Sequence, residues 1–210
     1  MNEYAGKPSE VFLKTTSLLL GCLLAASPLP SAESAARGPA AAQTVLVLGD
    51  SLSDGFGLSR AQAYPALLAR KARAAGLKVD IVNASASGGT TAGGLQRLPK
   101  HLDRPIDVLV VQLGINDAFR GVALDQIRAN LQAIIDRARK RSPQVRVVIA
   151  GMRLPLQGSG YLDDFGSIFG ELAEKNNAAL VPYLLEGVGG DPTLNLPDHI
   201  HPNAAGQRIL

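Results

Sequence analysis

Four short segments of this 210-residue chain bring together the residue types that acyl transfer needs. They are Gly49-Asp50-Ser51-Leu52-Ser53, the turn-rich run Asn83 to Thr90 with Gly88 and Gly89, Gly114-Ile115-Asn116-Asp117, and Asp198-His199-Ile200-His201-Pro202-Asn203. A serine hydroxyl is a poor nucleophile until a base takes its proton. Histidine can do that near neutral pH. A carboxylate on the other ring nitrogen fixes the tautomer and stabilises the imidazolium. Asp198 and His201 are three residues apart, so one turn places both on the same face. The chemistry also needs donors for a developing oxyanion. The candidates are the N–H groups of Ser51 and Gly88 and the side-chain amide of Asn116, provided all three meet at one edge of the fold. No metal-ligand spacing and no phosphate-binding GxxxxGK accompanies these segments.

Other residues in these segments have plainer readings. Asp50 is expected to accept backbone N–H bonds and tie down its turn. Asp54 is expected to sit in a first helical turn, favoured by the helix dipole. Ser53 is a second hydroxyl, not expected to react. His101 has no carboxylate at useful spacing and reads as a surface residue. Asp117 is expected to brace the Asn116 turn or to touch substrate, and Gly93-Gly94 to mark a bend. His199 competes with His201. A residue adjacent to Asp198 usually faces away from it, whereas Pro202 biases His201 toward extended backbone, and Asn203 can cap the final helix.

The elements that must position these groups follow from periodicity. Apolar runs at Thr44–Gly49, Lys78–Ser85, Asp107–Gly114, Val145–Gly151 and Ala178–Tyr183 read as strands. Helical spacing appears over Tyr64–Gly76, where Pro65 suits the first turn and Gly76 a C-terminal cap. It appears again from Leu124 through Ala138, closed by Pro143, and over Leu162–Asn176. Strand and helix alternate, and the strands are apolar on both faces. This predicts an α/β fold with a five-stranded parallel sheet between helices. In such folds ligands sit at the carboxyl ends of strands, where the first three segments fall.

Composition narrows the partners. Lys+Arg number 21 against Asp+Glu 18, and aromatic residues make up 4%. That mild balance, with no basic run, gives no support to a nucleic-acid partner. Residues 1–36 read as a secretory signal peptide: Lys7 and Lys14, then the uncharged Thr15–Ala26, then a small-residue exit with cleavage after Ser34 or Ala36. Export, to the periplasm or beyond, is therefore expected. Cys22, the single cysteine, lies in "LLGC", so a lipid-bearing Cys22 is the alternative. Residues 37–43 read as a short linker and 44–210 as one domain. "HPNAAGQ" near its end suggests a shortened last helix.

Together the segments resemble the SGNH hydrolases, also called GDSL esterases and lipases. "GDSLS" is similar to that family's first block, "NASASGGTTAGGLQRLP" to the second, "GIND" to the third and "DHIHPN" to the fifth. The nearest likeness is to the exported bacterial arylesterases, acyl-CoA thioesterases and lysophospholipases. The resemblance implies a flavodoxin-like α/β/α fold with strand order 2-1-3-4-5. It implies Ser51 as nucleophile, His201 as general base and Asp198 as its orienting carboxylate. Ser51, Gly88 and Asn116 would form the oxyanion hole, with neither cofactor nor metal. The partner would be a small-molecule ester or thioester, with membranes met only through lipid substrates or a lipidated Cys22. A carbohydrate O-acetyl esterase and a non-catalytic binding module are the rival readings. Ile115 departs from the family pattern and is expected to narrow the site beside Asn116. The loop Leu154–Asp164 departs as well.

Overall fold

The computed structural model of the chain describes residues 42–153 and 160–210. The expected signal peptide, Cys22 and most of the loop from Leu154 lie outside the described residues. In chain order the elements are β1 (Gln43–Gly49), α1 (Ser51–Asp54), α2 (Tyr64–Ala74), β2 (Val79–Asn83), α3 (Thr91–Arg97), β3 (Val108–Gln112), α4 (Ile115–Phe119), α5 (Leu124–Arg141), β4 (Arg146–Ala150), α6 (Gly160–Lys175) and β5 (Ala179–Val181). Short 3₁₀ turns occupy Arg60–Gln62, Leu98–His101 and Gly206–Arg208. All strand pairs are parallel, in the order β2-β1-β3-β4-β5. This is the expected doubly wound topology.

Strand side chains alternate between the two faces of a sheet, and here the faces are covered unequally. Leu46, Leu48, Leu109, Val111, Val147 and Ile149 are fully buried. The helices α3, α5 and α6 pack side by side. The α5 stripe Ile127, Leu131, Ile134, Ile135 and Ala138 is buried as well. Burial of each large residue contributes roughly 1.5–3 kcal/mol. The alternate positions Val45, Val108, Val110 and Val148 are only half-buried. They line an open cleft of about 500 Å³ with Leu67 and Leu68 of α2.

Local rules account for the element ends. Pro65 stands in the first turn of α2, where its missing N–H costs nothing. Gly76, just past the helix, takes a positive φ of 74°. Arg139, Lys140 and Arg141 fill the last turn of α5, where cations meet the negative end of the helix dipole.

The expected bend at Gly93-Gly94 is absent. Both glycines lie inside α3, whose N-cap Thr90 accepts a bond from the Gly93 N–H. A side chain at Gly94 would collide with Leu113 at the end of β3. Gly94 therefore serves close packing of helix on sheet, and the pair makes no change of direction. The fifth strand is shorter than read, and its three residues are exposed at the sheet edge. Pro182, which has no N–H for a ladder, directly follows it.

Candidate active site

β1 ends at Gly49, and the chain turns at Asp50 into α1. Asp50 is the N-cap, and its Oδ1 accepts from the Leu52 N–H at 3.0 Å. That cap places Ser51, itself 8% exposed, at the helix start, beside backbone N–H groups with no helical partner. Gly49 has no room for a side chain, because a Cβ there would meet Ser53 and Gln112. Ser53 does not face the site. It is fully buried, donates to Gln112 Oε1 at 2.7 Å and shares a 2.9 Å bond with the Tyr64 hydroxyl. Burial pushes the Tyr64 phenol up to about 12. The second hydroxyl of the first segment thus belongs to a buried polar network beneath the turn.

The last segment forms its own turn. Asp198 Oδ1 accepts from the N–H groups of Ile200 and His201, at 2.9 and 3.0 Å. Asp198 Oδ2 lies 2.7 Å from His201 Nδ1. The other ring nitrogen, Nε2, lies 2.9 Å from Ser51 Oγ. Desolvation pushes the Asp198 carboxyl up, but the bonds from His201, Ile200 and the imidazole outweigh it and leave it lowered to about 2. An ionised Asp198 accepts from Nδ1–H, and that assigns Nε2 as the acceptor of the Ser51 proton. Phe56 flanks the same ring, with centroids 4.4 Å apart.

His199 takes the left-handed conformation, with φ 59°. It is exposed and makes no side-chain hydrogen bond among the described residues. The structure therefore pairs Ser51 with His201 and leaves the competitor in solvent.

Gly88 is brought to this edge from two sides. From α1, Asp54 Oδ2 accepts from the N–H and hydroxyl of Ser87, at 3.2 and 2.9 Å. Its other oxygen pairs with Arg60, which also donates to the carbonyls of Asn83 and Ser85. From α4, Asn116 Nδ2 donates to the Gly89 carbonyl at 3.0 Å, and Arg120 to the Gly88 carbonyl at 3.3 Å. The bond to Gly89 uses one of the two amide hydrogens of Asn116 and leaves the other available. Gly88 itself has φ 71°, a backbone that favours glycine. Among the described residues, neither Ser51 N–H nor Gly88 N–H donates to a protein acceptor. Arg97, half-buried, reaches beneath the same edge to the carbonyls of Gly49 and Ala84.

Several plain readings change with the structure. Asp54 is more than a residue favoured by the helix dipole, because it tethers the Gly88 turn. Asp117 is buried, and its carboxylate bonds to α3 and not to the Asn116 turn: it accepts from Thr91 N–H at 2.8 Å and from the Thr91 hydroxyl at 2.5 Å. Ile115 does not narrow the site, since its side chain is buried within the hydrophobic core. His101, read as a surface residue, is half-buried on the turn Leu98–His101. Asp50 has the structural role expected, but at a cost. Its Oδ2 is buried without a hydrogen-bond partner, and burial pushes its pKa up to about 6. The ties of Asp54 to Ser87, of Arg60 to Asn83 and Ser85, and of Arg97 to Gly49 and Ala84 left no signal in spacing, because the partners are 13 to 48 residues away. Among the described residues no group of three or more His, Cys, Asp or Glu gathers as metal ligands.

The match to the GDSL-like lipase/acylhydrolase family runs over residues 47–209. The chain belongs to that family. It is 42% identical over 174 residues to the esterase TesA of Pseudomonas aeruginosa, covering 81% of this chain and 85% of that protein. It is 39% identical to thioesterase 1/protease 1/lysophospholipase L1 of Escherichia coli, covering 81% of each. The solved structure of the psychrotrophic esterase EstA from Pseudoalteromonas, inhibited by monoethylphosphonate, superposes with a TM-score of 0.74 at 30% identity. That alignment covers 80% of this chain and 91% of EstA. This family member is a hydrolase of the SGNH/GDSL class, with the α/β architecture of its relatives.

Proposed function

We propose that this hydrolase cleaves carboxylic esters and thioesters through an acyl enzyme on Ser51, with His201 as general base and Asp198 as its orienting carboxylate. The observation that carries the reading is the continuous line from Asp198 Oδ2 through the imidazole to Ser51 Oγ, with steps of 2.7 and 2.9 Å. Ser51 Oγ attacks the carbonyl carbon while its proton passes to Nε2. The carbonyl electron pair moves onto oxygen, toward the N–H groups of Ser51 and Gly88 and the free amide hydrogen of Asn116. Collapse expels the alcohol or thiol, which takes the proton from Nε2. Water then attacks the acyl carbon, losing its proton to Nε2. Oγ leaves as the acid is released and recovers that proton.

The names of the relatives support acyl substrates of this kind: an esterase, and a thioesterase that is also a lysophospholipase. Exposed Phe56 and Ile200 flank the His201 ring by contact and by sequence, which supports an apolar approach to the site. Turnover of p-nitrophenyl esters of increasing acyl length, with an acyl thioester alongside, tests the reading. Hydrolysis across several chain lengths and of the thioester is expected. Activity confined to acetyl esters would favour a carbohydrate deacetylase, and no turnover a binding module.

The same reading includes export through the leader at 1–36. Intact mass of the protein from a periplasmic fraction checks it. A chain beginning at Ala35 or Arg37 supports it, and one beginning at a lipidated Cys22 replaces it with a lipoprotein.

A further inference from the structure

We propose that Gln207 is a positioning residue, which sets the separation between the base-bearing C-terminal segment and the nucleophile on α1. This rests on the pairing of Ser51 with His201 and goes beyond it, since Gln207 touches no reacting atom.

The segment from Asp191 to Leu210 is held mostly by its own hydrogen bonds. Asn195 reaches the carbonyls of Val188 and Asp191, at 2.5 and 2.7 Å. The Leu196 N–H donates to the His201 carbonyl at 2.7 Å. Asn203 donates to the carbonyls of Thr193 and Asn195, and its Oδ1 accepts from Ala205 and Gly206. These bonds shape the segment but do not place it against the sheet.

Among the described residues, three hydrogen bonds join the segment to the β1–α2 region. One is the His201–Ser51 bond itself. Both others come from the single side-chain amide of Gln207. Its Nε2 donates to the Leu52 carbonyl at 3.0 Å, and its Oε1 accepts from the Tyr64 N–H at 2.7 Å. Gln207 is 2% exposed, so neither bond competes with water.

The placement of those two partners matters. Leu52 follows Ser51 directly, and Tyr64 opens α2. Tyr64 N–H is among the first donors of a helix, which have no partner within it. One amide, fixed at two points, therefore ties the segment to the residue beside the nucleophile. At its other end the Gln207 N–H donates to the Asn203 carbonyl at 2.9 Å, two residues after His201. The path from nucleophile to base outside the reactive bond is thus short: Ser51, Leu52, Gln207, Asn203, His201. The remaining ties are contacts without direction, such as Phe56 on the His201 ring. A contact of that kind lets the segment slide, whereas a two-point amide bond does not.

The experiment uses Gln207→Met, which keeps the length and volume but neither bond, and Gln207→Glu, which keeps the acceptor for Tyr64 N–H and loses the donor to Leu52. Each is compared with the parent by kcat and KM on a p-nitrophenyl ester, by the rate of phosphonylation at Ser51, and by thermal melting. In folded protein, Gln207→Met is expected to lower kcat by about 10–100-fold, the scale of an ångström-level misplacement, with KM within about twofold. Gln207→Glu should fall between Met and the parent. Phosphonylation should slow in the same order, because it too needs His201 in reach of Ser51. If Gln207→Met does not fold, the Glu variant decides alone.

Folded variants with parental kcat, or a loss confined to KM, would overturn the proposal. Failure of both variants to fold would overturn it too, because the residue would then determine the fold and not the placement of one segment. Ser51→Ala in the same assay separates this outcome from failure of the triad reading. If that variant is inactive while the Gln207 variants are fully active, only the clamp is wrong. If Ser51→Ala turns over normally, the triad is wrong.

Discussion

Asp50 precedes Ser51 in the chain and Asp198 bonds to His201, and the fold treats these two carboxylates in opposite ways. Asp50 is fully buried, carries one unpartnered oxygen and is pushed up to about 6. The Asp198 side chain is 35% exposed, yet its bonds from His201 and Ile200 lower it to about 2. The regions around them differ in the same sense. The Ser51 turn stands on the Ser53–Gln112–Tyr64 network and on β1, an interior strand of the sheet. His201, the proposed base, stands on a surface segment bonded mostly to itself. Burial makes the first region rigid at an electrostatic cost. Local hydrogen bonding gives the second its charge without burial, but leaves its placement to a few long-range ties. A nucleophile must not move, whereas a base near the surface can exchange protons with solvent.

The largest expected effect comes from emptying the rigid side. Ser51→Ala should lower kcat by roughly 10⁵–10⁶-fold, the scale seen when a catalytic serine is removed. The melting temperature should stay near the parent value, because one hydroxyl and no core packing is lost. Chromogenic ester turnover and calorimetry check this, and retained turnover would dissolve the comparison.

Next comes the charge on the surface side. Asp198→Asn should cost about 10⁴-fold in kcat, because an amide no longer selects the Nδ1–H tautomer. His199→Gly is the control one residue away. It should stay within about tenfold of the parent, and glycine tolerates the left-handed backbone there. Ester turnover by the two purified variants checks both. If they exchange these outcomes, the base is His199, and the C-terminal segment has been read in the wrong register.

Asn116→Ala sharpens the picture between the two regions. It should lower kcat by roughly 10²–10³-fold with little change in KM, as for a lost oxyanion donor. Part of any loss beyond that range would report a displaced Gly88 turn, since Asn116 also holds Gly89. A rise in KM alone would show ground-state binding instead.

The smallest effect is one of stability. The folded pKa of Asp50, about 6, lies above its ordinary 3.8, so the folded state holds the proton more tightly. Its contribution is fully present below about pH 3.8 and is lost as pH rises through about 6, on the order of 3 kcal/mol in all. Asp198 has the opposite sign, and its contribution is lost as pH falls toward about 2. Denaturant melts between about pH 4 and 7 should therefore show a decline that Asp50→Asn removes, whatever that variant's absolute stability. An unchanged slope would mean that Asp50 is ionised across that range and that its burial is relieved by water.

Much of this molecule was legible before any coordinates. The alternation of apolar runs with helical spacing is a local signal, and it revealed all five strands and the three long helices. The residues proposed to react were legible for a different reason. Acyl transfer tolerates few residue types, so a Ser, a Gly, an Asn and an Asp-x-x-His after separate elements stand out, and Asp198 precedes His201 by one turn.

Short helices were less legible. α3 is hidden because Gly93 and Gly94 have poor helix propensity; Thr90 caps it, and Leu113 leaves no space for a side chain at Gly94.

What the sequence by itself determined is the order of the elements and the candidate groups for the proposed reaction. Both are written in spacings of roughly two to four residues, the range over which backbone periodicity acts. Only the tertiary structure decided which groups hold those residues in place. Gln207 meets Leu52 across 155 residues, Ser53 meets Gln112 across 59, and Asp54 meets Ser87 across 33. Each tie is directional, satisfied because the parallel sheet brings strand ends together. A polar side chain carries no mark of its distant partner until the packing of apolar faces has brought the two within reach.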